Sequence, residues 1–262
     1  MGTLDEALRL QPAADGCWSG RADPDYESAN GMFGGWTTAL MLLAIAADDD
    51  LDAMPTSITT AFVATVEPGT EVLVRTRRLG GSRSVHHWAA DLTNGDRLAA
   101  AATAVLTTRR DGPGHTEPTM PEVPAPETLD RFRPPNPEGE RADIRSVHGH
   151  PPFGADDTRS AAWVRDTTGR PVDAAQLAFL ADQCAPRTFY WAGEPHLSAT
   201  LTMSVFFHAT ADDLAAVGDD YVLHEAIGNR AAASTSGQHV RLWSRSGALL
   251  ATSEQICWYR LD

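Results

Sequence analysis

Two stretches of this chain present the same elements in the same order on either side of a proline-rich break, and that repetition restricts the fold more than any other feature. The break is "DGPGHTEPTMPEVPAPETLDRFRPPNPEGE", residues 111–140. It is dense in proline and acid and has neither helical nor strand periodicity, so it reads as a linker crossing the surface. Ahead of it come a tryptophan-bearing strand, "GCWSGRAD", a glycine-led helix, "FGGWTTALMLLAIA", and a strand, "SITTAFVATV". Behind it come "SAAWVRDTTG", a helix from about Val172 in "VDAAQLAFLADQC", and "SATLTMSVFF". Gly34 and Ser57 are 23 residues apart, and so are Ala175 and Ser198. Each half then runs into strands with turn signals, and Asn94-Gly95 and Ser246-Gly247 mark matching hairpins. The reading places a first unit at residues 1–110, a linker at 111–145 and a second unit at 146–262.

A helix that is apolar nearly all round must be enclosed on most sides. One helix followed by a meander of antiparallel strands is an α+β unit, and a curved sheet wrapped about a central helix encloses it. Two such units in one chain predict a pseudo-dimer with the sheets joined edge to edge. The apolar run itself, 14 residues from Phe33 to Ala46, is too short to span a bilayer of about 30 Å. It fits a helix buried in protein.

Charge and cysteine usage remove several function classes. A net charge of −14 argues against nucleic acid, because proteins that neutralise phosphates present a basic face. A small phosphate-bearing ligand needs only a local group such as Arg75, Arg77, Arg78 and Arg83, which read more plainly as solvated strand and loop residues. Cys17, Cys184 and Cys257 lie far apart without C-x-x-C spacing, so neither a disulfide framework nor a structural zinc site is suggested. The start "MGTLDEALRL" lacks a basic segment followed by a long apolar core, so a cytoplasmic protein is expected. No G-x-S-x-G, G-x-G-x-x-G or P-loop is present, which argues against an α/β-hydrolase nucleophile and nucleotide-driven chemistry.

The stretches "MFGGWTTALMLLA" and "SITTAFVATVEPG" in the first half, and "LADQCAPRTF", "ATLTMSVFFH" and "GALLATSEQICWYR" in the second, resemble the TesB-like acyl-CoA thioesterases, a double-hotdog family. The resemblance covers nearly the whole chain outside the linker. It implies a catalytic aspartate on the second helix, a hydroxyl residue on the next strand and a glutamine on the final strand, which fall here on Asp182, Thr200 and Gln255. The family usually follows the strand threonine with an acid and a histidine, whereas this chain reads Thr200-Leu201-Thr202-Met203-Ser204. That change bears on the acyl pocket or on a supporting hydrogen bond. The first-half position matched to Gln255 is Thr103, so only the second half is expected to be equipped for chemistry.

Each of these residues also has a plainer reading. Asp182 would be an exposed acid at a helix end, Thr200 a strand-favouring residue sharing a face with Thr202 and Ser204, and Gln255 a surface amide beside Cys257 and Tyr259. Taken with the resemblance, the three would hold a water for attack on a thioester carbonyl, with Asp182 as general base and no acyl-enzyme. Gly34 and Gly35 are the candidate substrate-binding residues. A helix N-terminus offers free N–H groups, and glycine admits an oxygen closely, although close packing through glycine explains the same pair. His148-x-His150 reads as a loop and His86-His87 as a strand edge, so no metal and no cofactor are expected. The expected partner is an acyl-CoA or another acyl thioester, with no membrane partner; self-association through exposed sheet surfaces is open. Two alternatives remain, a hotdog protein that binds acyl thioesters with little turnover, and a hotdog hydratase or dehydratase.

Overall fold

The computed structural model of the protein describes residues 3–51, 53–110, 112–153 and 157–261. The expected outer limits of the two units and the expected first linker residue, at 1, 262 and 111, lie outside the described residues. The first half contains α1 (Leu4–Ala7), β1 (Gln11–Ala14), β2 (Cys17–Arg21), the short pair β3 (Glu27–Ser28) and β4 (Gly31–Met32), and the long helix α2 (Gly34–Asp48). The strands β5 (Met54–Phe62), β6 (Glu71–Gly81), β7 (Val85–Asn94) and β8 (Arg97–Thr107) follow. Then come β9 (Arg131–Phe132), a 3₁₀ turn at Pro137–Glu140, and β10 (Ala142–His148). The second half has β11 (Ser160–Asp166), α3 (Ala174–Leu180), α4 (Thr188–Ala192), β12 (Leu197–Phe207), α5 (Ala211–Val217), β13 (Val222–Ala232), β14 (Thr235–Ser244) and β15 (Leu249–Arg260).

Among the described residues, thirteen strands form one antiparallel sheet in the order β1-β2-β6-β7-β8-β5-β12-β15-β14-β13-β11-β10-β9. Each half is a strand meander around its own helix, and the halves meet where β5 pairs with β12. This is the double hotdog that the repeated element order predicts. The junction is held by Thr59 Oγ1 and Ser204 Oγ, 2.9 Å apart. Arg109, just past β8, donates to the carbonyls of Phe207 (2.6 Å), His208 (3.1 Å) and Pro55 (3.1 Å), tying the two units together at one end of the seam.

The helix α2 buries Trp36, Leu40, Met41 and Ile45 completely, because the sheet covers one side of it and α3 the other. Its apolar circumference is therefore a requirement of position. The three acids at and after its C-terminus oppose the helix dipole and are partnered: Asp48 accepts from Trp18 Nε1 (3.0 Å) and Thr76 Oγ1, and Asp49 from Trp88 Nε1 (2.5 Å), with His86 Nδ1 at 2.9 Å. Asp50 pairs with Arg78 at 3.5 Å.

The segment between the halves is pinned to the second unit. Met120, Val123 and Leu129 pack on Trp163, Leu223 and Trp243, Pro124 O accepts from Trp163 Nε1 at 2.9 Å, and β9 and β10 extend the sheet. Thus the polar, proline-rich stretch carries just enough apolar residues to cover an outer sheet face that would otherwise be exposed.

Candidate active site

The site forms where the first turn of α2 meets the end of α3. The residue preceding α2 is Phe33, which offers no side-chain oxygen to the free N–H groups of the first turn. Asp182 supplies one from the other half of the molecule, its Oδ2 accepting from Gly35 N at 2.8 Å. The approach is close enough to exclude any side chain: a Cβ on Gly34 would lie 2.8 Å from Asp182 Oδ2, and one on Gly35 would lie 2.6 Å from Phe179 O and from Phe33 Cε1. The paired glycines are therefore required by helix-to-helix contact. The Gly35 N–H, expected as a donor to substrate, is spent on Asp182.

Asp182 lies just beyond α3, which closes at Leu180. Asp182 is only 9% exposed, so the plainer reading of a solvated helix end does not hold. Its Oδ1 accepts from Gln255 Nε2 at 2.9 Å. That nitrogen also faces Ala181 O at 3.5 Å and Met203 Sδ at 3.4 Å. Met203, standing where the family usually has histidine, thus presents a weak acceptor to the amide. Gln255 Oε1 accepts from Gln238 Nε2 at 2.8 Å, and Gln238 Nε2 also lies 3.2 Å from Cys184 Sγ.

Thr200 does not join this network by direct contact. Its Oγ1 is 3.7 Å from Cys257 Sγ, opposite the residue two beyond Gln255 on β15. The expectation that Thr200, Thr202 and Ser204 share one face is corrected by a bulge: register shifts between Thr200 and Thr202, so Leu201 and Thr202 both face outward. Thr200 thereby joins Met203 and Val205 on the inner face, since one inserted residue reverses the alternation. The match of Thr103 to Gln255 also shifts by one. Thr103 is exposed and pairs with Thr59, whereas buried Ala102 pairs with Thr60 as Gln255 pairs with Met203.

Burial dominates the electrostatics. Desolvation lifts Asp182 from the ordinary carboxylate range to about 7, against the opposing pull of the Gln255 and Gly35 hydrogen bonds. Desolvation likewise pushes Cys184 up to about 12 and Cys257 up to about 11, despite the nearby Arg187 guanidinium, so both thiols stay protonated near neutrality. A further carboxyl, Glu138 in the 3₁₀ turn, rises to about 7 through burial and, to a smaller degree, the charge of Asp182. Its Oε2 is buried without a hydrogen-bond partner among the described residues.

Sequence reasoning missed Gln238 and Glu138. Gln238 carried a legible signal: with Ser236, Val240 and Leu242 it makes the buried alternation of β14, and an amide in such a row needs partners. Glu138 sits in a stretch read as linker and carried none. The His86-His87 expectation is also corrected. The strand β7 lies between β6 and β8, and His86 is buried against Asp49. Asp49, Asp50 and His86 bring ligand-type atoms within 4.8 Å of one another, but Asp49 already accepts from Trp88 Nε1 and Leu51 N, which marks a helix closure. His148 ends β10, and His150 lies against the Phe132 ring with centroids 5.0 Å apart.

Comparison with known proteins places this geometry in context. A hot dog fold protein of unknown function from Alicyclobacillus acidocaldarius superposes with a TM-score of 0.94 at 28% identity, over 99% of this chain and 98% of that one. The tesB protein of Mycobacterium avium subs paratuberculosis gives 0.83 at 20% identity, covering 98% of each chain, and acyl-CoA thioesterase II TesB2 of Mycobacterium marinum gives 0.81 at 18%, covering 99% of each. These last two likenesses speak to the fold. No match to a curated protein was found. The acyl-CoA thioesterase N-terminal domain family matches residues 22–107, and the acyl-CoA thioesterase C-terminal domain family matches residues 114–259. With both halves matched in order around one double hotdog, the chain belongs to the TesB-like acyl-CoA thioesterase family.

Proposed function

We propose that the chain hydrolyses an acyl-CoA, or a related acyl thioester, to the free acid and the thiol by direct attack of water, with the chemistry in the second unit. The observation that carries this reading is the buried Asp182 carboxylate, held by Gly35 N–H and Gln255 Nε2 and ionising near neutrality. A general base works best with a pKa near the working pH. As the water oxygen bonds to the thioester carbon, Asp182 takes its proton and charge builds on the carbonyl oxygen. Collapse breaks the carbon–sulfur bond, and the sulfur leaves with the proton that Asp182 returns. Gln255 keeps the carboxylate in place, and Thr200, on the neighbouring strand β12 and the same inner face, orients the water. Gly34 N–H, in the same first turn of α2 as the Gly35 N–H that Asp182 takes up, is assigned to the carbonyl oxygen. The protonated state of Cys184 and Cys257 near neutrality favours water over a thiolate nucleophile.

Met203 favours a second reading, an acyl-thioester binding protein with little turnover, because a thioether cannot supply the proton or charge of an imidazole. Release of free thiol from a panel of acyl-CoAs separates the two. Hydrolysis by the wild type that is lost in Asp182→Asn and strongly reduced in Gln255→Ala supports the proposal. Tight acyl-CoA binding with no thiol release selects the second reading, and full turnover in both variants removes the assigned site.

A further inference from the structure

Gln238 is 3% exposed on the interior face of β14. Both hydrogens of its amide nitrogen are engaged, one toward Gln255 Oε1 and one toward Cys184 Sγ, while its Oε1 is buried without a partner among the described residues. The side chain is thus held through its donor end alone. The sense of the arrangement is set further along. Gln255 Nε2 faces Asp182 Oδ1, Ala181 O and Met203 Sδ, three acceptors, so nitrogen must stand at that end and Oε1 must face Gln238. An oxygen facing Gln238 needs a donor, so Gln238 must present its nitrogen. The hydrogen bonds therefore run in one direction, from Gln238 through Gln255, and terminate on the carboxylate.

Resting on the hydrolytic reading above, we propose that Gln238 is a positioning residue for the reaction: its donation to Gln255 Oε1 keeps the Gln255 nitrogen on Asp182. The placement is specific to the half that holds the acid. Gln238 pairs with Gln255 on β14 and β15, and the corresponding pair on β7 and β8 is Ala90 with Ala102. Without the donor, the last torsion of Gln255 is released, and a rotated amide sets its oxygen against the carboxylate. Asp182 then loses a hydrogen bond that favours its ionised form.

Gln238→Met tests this, because methionine is close in size, lacks the donor and also removes the unpartnered buried oxygen. The expected result is a kcat for acyl-CoA hydrolysis lower by about tenfold, since small misplacements of catalytic groups are costly, with KM changed less than about twofold. The acid limb of the kcat profile moves to higher pH, and so does the Asp182 carboxyl titration followed by ¹³C NMR. Gln238→Glu is the second variant, for use also if the methionine form does not fold. It keeps the shape, but once ionised it can only accept, so its kcat falls as pH rises through the range in which the wild type gains activity. A normal kcat together with an unmoved Asp182 titration in either variant overturns the proposal. If Asp182→Asn abolishes turnover while Gln238→Met leaves it intact, hydrolysis stands and the role of Gln238 fails. If Asp182→Asn keeps turnover, the hydrolytic reading fails, and the NMR titration still decides whether Gln238 holds Gln255 on the acid.

Discussion

Across the middle of the sheet, one row of paired inner residues runs from Ala90 and Ala102 in the first unit, through Thr60 and Met203 at the junction, to Gln255 and Gln238 in the second. The two ends of the row solve the same packing problem differently. In the first unit, small side chains let a 15-residue helix lie against the sheet with its circumference buried. In the second, the helix has 7 residues and ends early, and the amides fill the space beside Asp182 with groups that need partners. A duplicated unit can close its interior with alanine and require nothing further. Closing it with glutamine is tolerable only where the amides bond to one another and to an acid, and that condition is met in one half only.

The largest expected effect comes from Asp182→Asn, which removes the feature the first unit lacks. Turnover falls by about a thousandfold, within the range for loss of a general base, as measured by thiol release. The stability change has a definite sign. Because the folded pKa of about 7 lies above the free carboxyl value, the native state holds the proton more tightly. Asp182 therefore favours folding most at pH below about 4 and loses that contribution as pH rises through about 7. Urea denaturation should find the stability of the wild type relative to Asp182→Asn lower at pH 8 than at pH 4, by on the order of 2 kcal/mol, on top of a pH-independent cost of setting the asparagine NH2 against the Gly35 or Gln255 donor.

Making the first half resemble the second should fail for want of space and partners. Ala102→Gln places an amide in a full interior without a carboxylate, and should cost about 3 kcal/mol in urea denaturation with turnover per folded molecule unchanged. Gly35→Ala attacks the contact between the halves. Its Cβ meets Phe179 O and Phe33 Cε1 at 2.6 Å, so about 2 kcal/mol of stability is lost, and the Asp182 titration moves up as its N–H donor withdraws. The smallest effect concerns how each helix is capped. The α3 helix uses its own Asp173, which accepts from Gln176 N at 2.8 Å, whereas α2 relies on Asp182. Asp173→Ala should cost about 1 kcal/mol by thermal melting and leave the acid limb of turnover in place.

How much of this was legible in the sequence follows from which features are local. The helix and strand order of the repeated units and the hairpins at Gly95 and Gly247 depend on periodicity and turn chemistry and can be read from the chain, whereas the edge-to-edge pairing follows only from the duplication of the unit. Asp182 and Gln255 were found through the family resemblance, since nothing local distinguishes a buried acid after a helix from a solvated one. The inward turn of Thr200 depends on a bulge that neighbouring strands impose, so alternation alone assigned its face by the wrong companions. The same one-residue uncertainty misplaced the counterpart of Gln255 at Thr103. Pairing with a partner strand, which no single segment encodes, selects Ala102.

The pH dependence of kcat/KM for acyl-CoA hydrolysis tests the central claim most directly, since Asp182 as general base requires activity to follow its ionisation. The account predicts a rise of one logarithmic unit per pH unit below a midpoint near 7 and a plateau above it, with the limb absent from the residual activity of Asp182→Asn even though Glu138 remains. A profile that is flat from about pH 5 to 9, or a limb that survives unchanged in Asp182→Asn, would contradict it.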